Sequence, residues 1–354
     1  MAVKVDRRVV LAGLLGAWSP SPAQPTGNII YMSATGDDAN NGAFDTPVRT
    51  AGRATDLCAP GGTVYVRGGI YSGNQTISKN GLAGQKITMR PYPGETVIFD
   101  GTNSDAESNL ITIFSDYFIF MGFTVRNGKF ANISCFDTHD TEIRNCIIHD
   151  AWVNGVQIKA LNNNKTSSYA NIVEGNEIYN CVKENAPRTQ SGGWGQALSF
   201  GESNNSVARN NFVHNNMGEG IVSIVSKGCL IEDNHIRDNY SVQIYLDNAP
   251  NTTVRRNRIW HTHAEPWYRY FNGIGYPGQG IQIANEDYGE GNYLPSDGIA
   301  VTNNFIGGCG DPAVRYAGYQ LGGGLTNSTI TRNTIYSKPE PVRDMTPAWS
   351  RPTT

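Results

Sequence analysis

One short phrase, an Asn followed by any residue and then Ile or Val, constrains the fold more than any other feature of the chain. It recurs at Asn145-Cys146-Ile147, Asn176-Glu177-Ile178, Asn211-Phe212-Val213, Asn234-His235-Ile236, Asn257-Arg258-Ile259, Asn304-Phe305-Ile306 and Asn333-Thr334-Ile335. Successive Asn residues lie 31, 35, 23, 23, 47 and 29 positions apart, so the base unit is 23 residues and the excess marks insertions. Within each unit a short alternating strand, such as Val156-Gln157-Ile158, Val242-Gln243-Ile244-Tyr245-Leu246 or Ile281-Gln282-Ile283, is flanked by Gly or Asn turns. One such unit cannot bury its apolar side. Stacked copies can, with their strands paired in parallel about 4.8 Å apart. The expectation is an all-β chain: a single-stranded right-handed parallel β-helix of about nine coils. The Asn residues are read as ladders supporting the turns, not as a ligand site.

Composition agrees and excludes some functions. Forty Gly and an aromatic content of 10 % suit short strands and tight turns. A net charge of −3 without blocks of like charge argues against a nucleic-acid partner. Residues 1–24 read as an export signal, with Arg7-Arg8, an apolar run from Val9 to Trp18, and cleavage after Ala23. Arg7-Arg8-Val9-Val10-Leu11 fits either a twin-arginine or an ordinary secretory signal, and no other segment reaches membrane-spanning length. The expected product is periplasmic or secreted and monomeric. It has a β-helix domain over 25–341 and a disordered tail over 342–354, rich in Pro and lacking the Asn phrase. The six cysteines match no metal-site spacing and are read as buried free thiols rather than disulfides.

Ahead of the repeats, Tyr31-Met32-Ser33-Ala34-Thr35-Gly36-Asp37-Asp38 leads through Thr46-Pro47 to a short helix near Val48 to Cys58. A second strand then ends at Thr63-Val64-Tyr65-Val66. This segment, about 29–75, is expected to cap the open edge of the solenoid. Together with Gly68-Gly69-Ile70-Tyr71 and Pro91-Tyr92-Pro93-Gly94 it resembles the opening of secreted β-helix proteins of the pectate-lyase-like superfamily. The resemblance covers roughly residues 29–340 and implies polysaccharide lyase or glycoside hydrolase chemistry without choosing between them.

Insertions place the site. Residues 159–171 and 286–297 follow the Gln-Ile strand and 182–194 and 261–279 precede the next one, so both walls belong to one sheet. Its floor comprises 155–159, 196–200, 221–225, 242–247 and 281–286, a groove suited to an extended glycan. Placing Ile244 beside Ile283 sets Gln243 over Gln282, Tyr245 over Ala284 and Asp247 over Glu286, all facing outward. Two such carboxylates, beside Tyr245, form an acid and nucleophile pair, or equally hold a cation such as calcium. Gln157, Gln243, Gln282, Trp194, Trp267, Tyr268, Arg269 and Tyr270 are candidates for sugar contacts, and His261 and His263 for proton transfer. His261-x-His263-x-Glu265 also has metal-ligand residue types, without a companion cluster. Lys159 is the candidate base of an eliminating lyase.

Phe136-Asp137-Thr138-His139 resembles the Phe-Asp-x-His stretch of mannuronan C5-epimerases, which makes Asp137 and His139 alternative catalytic residues. Ser134 stands where that family has its catalytic Tyr. The leading expectation is an enzyme cleaving glycosidic bonds of a polysaccharide, hydrolase or lyase. An epimerase and a non-catalytic carbohydrate-binding or surface protein are the alternatives.

Overall fold

The computed structural model describes residues 27–162, 166–271, 274–289, 294–318 and 325–336; the expected signal and tail lie outside them. Each coil visits three parallel sheets in the same order. Among the described residues the first sheet has eleven strands, from Ile29–Met32 to Thr329–Thr331; the second has ten, from Gly69–Ser72 to Thr334–Tyr336; the third has nine, from Gln75–Ile77 to Gly310–Ala317. This is the expected right-handed parallel β-helix of about nine coils. The short helix of the cap spans Ala51–Asp56, capped by the Thr50 hydroxyl, which accepts from Arg53 N–H.

The interior is a continuous apolar column, with Ile133, Val156, Leu198, Ile221, Ile244 and Ile281 stacked rung on rung in the third sheet. Asn176, Asn211, Asn234, Asn257, Asn304 and Asn333 line one turn. Each Oδ1 after the first accepts the main-chain and side-chain N–H of the Asn one coil earlier, at 2.9–3.0 Å. Buried turn amides therefore find acceptors without water, which is what the repeat encodes.

The first phrase departs from this. Ile147 pairs with Glu177, so Cys146 occupies the ladder position and takes the Asn176 acceptor through its N–H. Asn145 instead holds the left-handed turn residue, φ 50°, as Asn210, Asp233 and Asn303 do in later coils. Asn tolerates that conformation as well as the ladder, so the phrase alone cannot separate the two positions.

On the outer face of the first sheet Arg144, Glu174, Arg209, Glu232 and Arg255 alternate in charge from rung to rung. Their ion pairs of 2.7–3.0 Å order the coils more than they stabilise them, because half-exposed pairs contribute little. All six cysteines are free, and burial pushes the Cys135, Cys146 and Cys181 thiols up to about 12.

Candidate active site

Five neighbouring strands of the third sheet form the floor: Asn154–Lys159, Gln196–Gly201, Glu219–Ile224, Val242–Asp247 and Gln279–Ala284. Insertions rise at both edges. At one edge the segments 182–195 and 261–271 are tied together. Arg188 pairs with Glu265 at 2.8 Å and lies over the Tyr270 ring at 5.6 Å, and the Arg269 guanidinium stacks 4.4 Å from the Trp194 ring. At the other edge residues 285–289 fold back over the floor, where Asn248 Nδ2 donates to the Glu286 carbonyl at 2.7 Å.

Two features of the pairing correct the expected placement. Ile244 lies beside Ile281, not Ile283, so Tyr245 neighbours Gln282 and Asp247 neighbours Ala284. A two-residue slip preserves the inward and outward alternation, which therefore cannot detect it; the corner before the strand, where Gln279 N–H donates to the Ser241 carbonyl, sets the register. The second feature is a skip at the start of each floor strand. Val242 pairs with Gln279 and Ile244 with Ile281, and the residue between them turns inward. Gln243 is thus fully buried and bonded to the Asn239 main chain and side chain at 2.8–3.1 Å, holding the corner rather than facing a ligand.

The same skip turns Glu219 outward. Strict alternation back from the inward Ile221 would bury it in the core, yet Gly220 takes that inward place, where a Cβ would meet the Gln243 carbonyl at 2.3 Å. Glu219 lies only 6 % exposed beneath the Trp194 and Arg269 wall, beside Gln196, whose Nε2 donates to it at 3.4 Å. Burial pushes its carboxyl up to about 8. The charges of Glu286 and Asp247 raise it further against Gln196 and Arg269. A carboxylate flanked by Gly218 and Gly220 at an apparently inward position was the signal available in sequence.

Glu286 lies beyond its strand and reaches back to accept from the Tyr245 hydroxyl at 2.5 Å. Its main-chain N–H donates to Asp247 Oδ1 at 3.1 Å, and the Tyr288 hydroxyl donates to Oδ2. Asp247 is accordingly fully buried, roofed rather than open to the groove. Burial, then the Glu286 charge, push it up to about 7 against its hydrogen bonds. Three carboxyls thus share one face of the sheet, and burial raises the pKa of two of them, Glu219 and Asp247, well above the ordinary carboxyl range. Among the described residues no set of three His, Cys, Asp or Glu is arranged to hold a metal. The carboxyl oxygens of Asp247 are committed to an amide and a hydroxyl, which does not fit calcium ligation.

The other expected residues fall into separate groups. Gln157 and Gln282 lie on the floor, Gln157 donating to Ser134 Oγ at 2.8 Å. His261 is buried with Nε2 on the Trp267 carbonyl at 3.1 Å, and His263 Nδ1 meets the Tyr268 hydroxyl at 3.1 Å. The same two His residues line a cavity of about 280 Å³ with Trp260 and Phe305, on the second-sheet side of the wall. His261, His263, Trp267 and Tyr268 therefore shape the insertion, whereas Trp194, Arg269 and Tyr270 form the edge of the groove. A larger cavity of about 430 Å³ lies at the cap between Arg49 and Gln75 and holds no acid–base pair. Lys159 is exposed and separated from Asp247 by Gly201 and Ile224, three rungs or about 14 Å away. Asp137 accepts from Leu161 N–H and the Ser167 hydroxyl, and His139 lies between Asp116 and Asp140, so both serve the corner after the strand. Among the described residues no helix is long and apolar enough to cross a membrane.

With this geometry in place, comparison with known proteins is informative. Residues 30–249 match the family described as Pel9A-like, right handed beta helix region, and residues 168–339 match a right handed beta helix region. The uncharacterized protein YwoF of Bacillus subtilis (strain 168) is 25 % identical over 347 residues, covering 88 % of this chain and 69 % of its own. Pectate lyase PEL9 of Emericella nidulans is 38 % identical over 88 residues, 23 % of this chain and 22 % of the lyase. The solved alginate lyase of Paenibacillus sp. str. FPU-7 superposes with a TM-score of 0.59 at 14 % identity, over 88 % of this chain and 98 % of the lyase, a likeness of fold.

Proposed function

The chain belongs to the Pel9A-like right-handed β-helix family, and on that premise we propose that it hydrolyses glycosidic bonds of a polysaccharide in the third-sheet groove. The observation that carries this reading is Glu219, a carboxyl whose pKa of about 8 keeps it protonated at neutral pH, on the same floor as Glu286. Glu219 gives its proton to the leaving glycosidic oxygen as the C–O bond breaks. Glu286, oriented by Tyr245, either attacks the anomeric carbon or takes a proton from the attacking water. Asp247 holds the Glu286 main chain in place.

Elimination finds less support. Lys159 stands three rungs from Asp247, and Asp137 and His139 are engaged in the corner. The Arg7-Arg8 segment and the apolar run after it support action outside the cytoplasm. The test is incubation of purified protein with neutral and uronic-acid glycans, following reducing ends together with the absorbance of unsaturated products. New reducing ends without that absorbance support hydrolysis. Equal growth of both would overturn it in favour of a lyase.

A further inference from the structure

We propose that Phe114 and Phe136 form a distal sugar-binding platform on the same sheet, beyond the end of the groove floor, so that the substrate is a long glycan held across several coils. This rests on the reading of the groove as a glycan site. The two rings stand on successive rungs, centroids 5.9 Å apart and inclined by 39°. Phe114 is 41 % exposed. They are outward residues of the third sheet, since their strand neighbours Ile113 and Cys135 are buried and paired in the core.

Pairing then fixes where they stand relative to the carboxyls. Phe136 neighbours Lys159, Lys159 neighbours Gly201, Gly201 neighbours Ile224 and Ile224 neighbours Asp247. The platform therefore shares the column of Asp247, four rungs or about 19 Å away for Phe136. Between them Gly201 has no side chain, the Lys159 stem lies along it, 3.4 Å from where a Cβ would stand, and Ile224 is partly buried. The adjacent outward row is polar, with Ser134, Gln157 and Ser199. Two apolar rings facing water beside such a row match the two chemistries of a sugar, whose C–H face stacks on aromatic rings while its rim hydroxyls take hydrogen bonds. A short oligosaccharide lying over Glu219 and Glu286 cannot reach them. A polymer can.

The test compares wild type, Phe114→Ala, Phe136→Ala and Phe114→Trp on one glycan in two lengths: the polymer, and the shortest oligosaccharide that is cleaved. The expected result is a rise in KM of roughly threefold to tenfold for the polymer in both Ala variants, the size of an aromatic stacking contact. The short substrate should be unaffected, and the Trp variant should behave as wild type. Unchanged kinetics on the polymer, or equal losses on both lengths, overturn the platform while leaving the hydrolytic reading standing. Should wild type cleave nothing, affinity electrophoresis in gels containing each polymer separates the two ideas. Retardation of wild type lost in the Ala variants supports the platform alone, and no retardation in any polymer overturns both.

Discussion

The main-chain N–H of Glu286 donates to Oδ1 of Asp247 across 3.1 Å, and this bond joins the last two coils of the groove floor. With the Tyr288 hydroxyl on Oδ2 it closes Asp247 off from solvent and leaves the neighbouring Glu286 side chain to face Tyr245. The Asp247→Ala variant should then lose about 1–3 kcal/mol of stability, because an amide and a hydroxyl keep no acceptor. Denaturant unfolding measures it. An unchanged midpoint together with full turnover would show that the roof does not depend on this carboxyl.

Glu219 should behave as a general acid. Glu219→Gln is expected to lower turnover on an unactivated glycan by about 10²–10⁴ without loss of stability, and to unfold like wild type below pH 4.5, where the carboxyl is neutral in both states. Activity should return toward wild type on an aryl glycoside whose leaving group needs no proton. A variant equally poor on both substrates would point to a different role.

The pH dependence follows from the same residue. Its folded pKa of about 8 stands above the ordinary carboxyl value of 4.5, so the folded state binds the proton more tightly than the unfolded state. The corresponding stability is fully present below pH 4.5 and is lost as pH rises through 8. Turnover should fall on the same alkaline limb as the acid loses its proton. In Glu219→Gln the stability slope between these values should flatten, leaving the share from Asp247, whose folded value is about 7. Thermal melts across that window check the sign.

The Asn ladder should be weakest at its end. Asn234→Ala strips the acceptor from the Asn211 main chain and side chain, both buried, at a cost on the order of 3 kcal/mol. Asn333 is half-buried in the final described coil, and Asn333→Ala should cost less. Equal losses at the two positions would argue against a cooperative stack.

By itself the sequence determined the solenoid, the identity of the groove sheet, and the side of the chain on which the insertions fall. The reason is that a 23-residue repeat with buried Asn and alternating Ile admits one way of covering its apolar side. It also placed Tyr245, Asp247 and Glu286 near one another, since all three belong to aligned strands or their ends. Only the tertiary structure decided how they meet. The inward turn of Gln243 and the outward turn of Glu219 both arise from a pair skipped at the same corner of their respective coils, and a residue count that assumes period two reads both on the wrong face. The slip from Ile283 to Ile281 preserves every inward and outward assignment and so leaves no mark on the pattern. Whether a carboxyl is open or roofed depends on residues contributed by the next coil, here Glu286 and Tyr288 folding back over Asp247. That contact joins positions some forty residues apart through a loop with no periodicity to read.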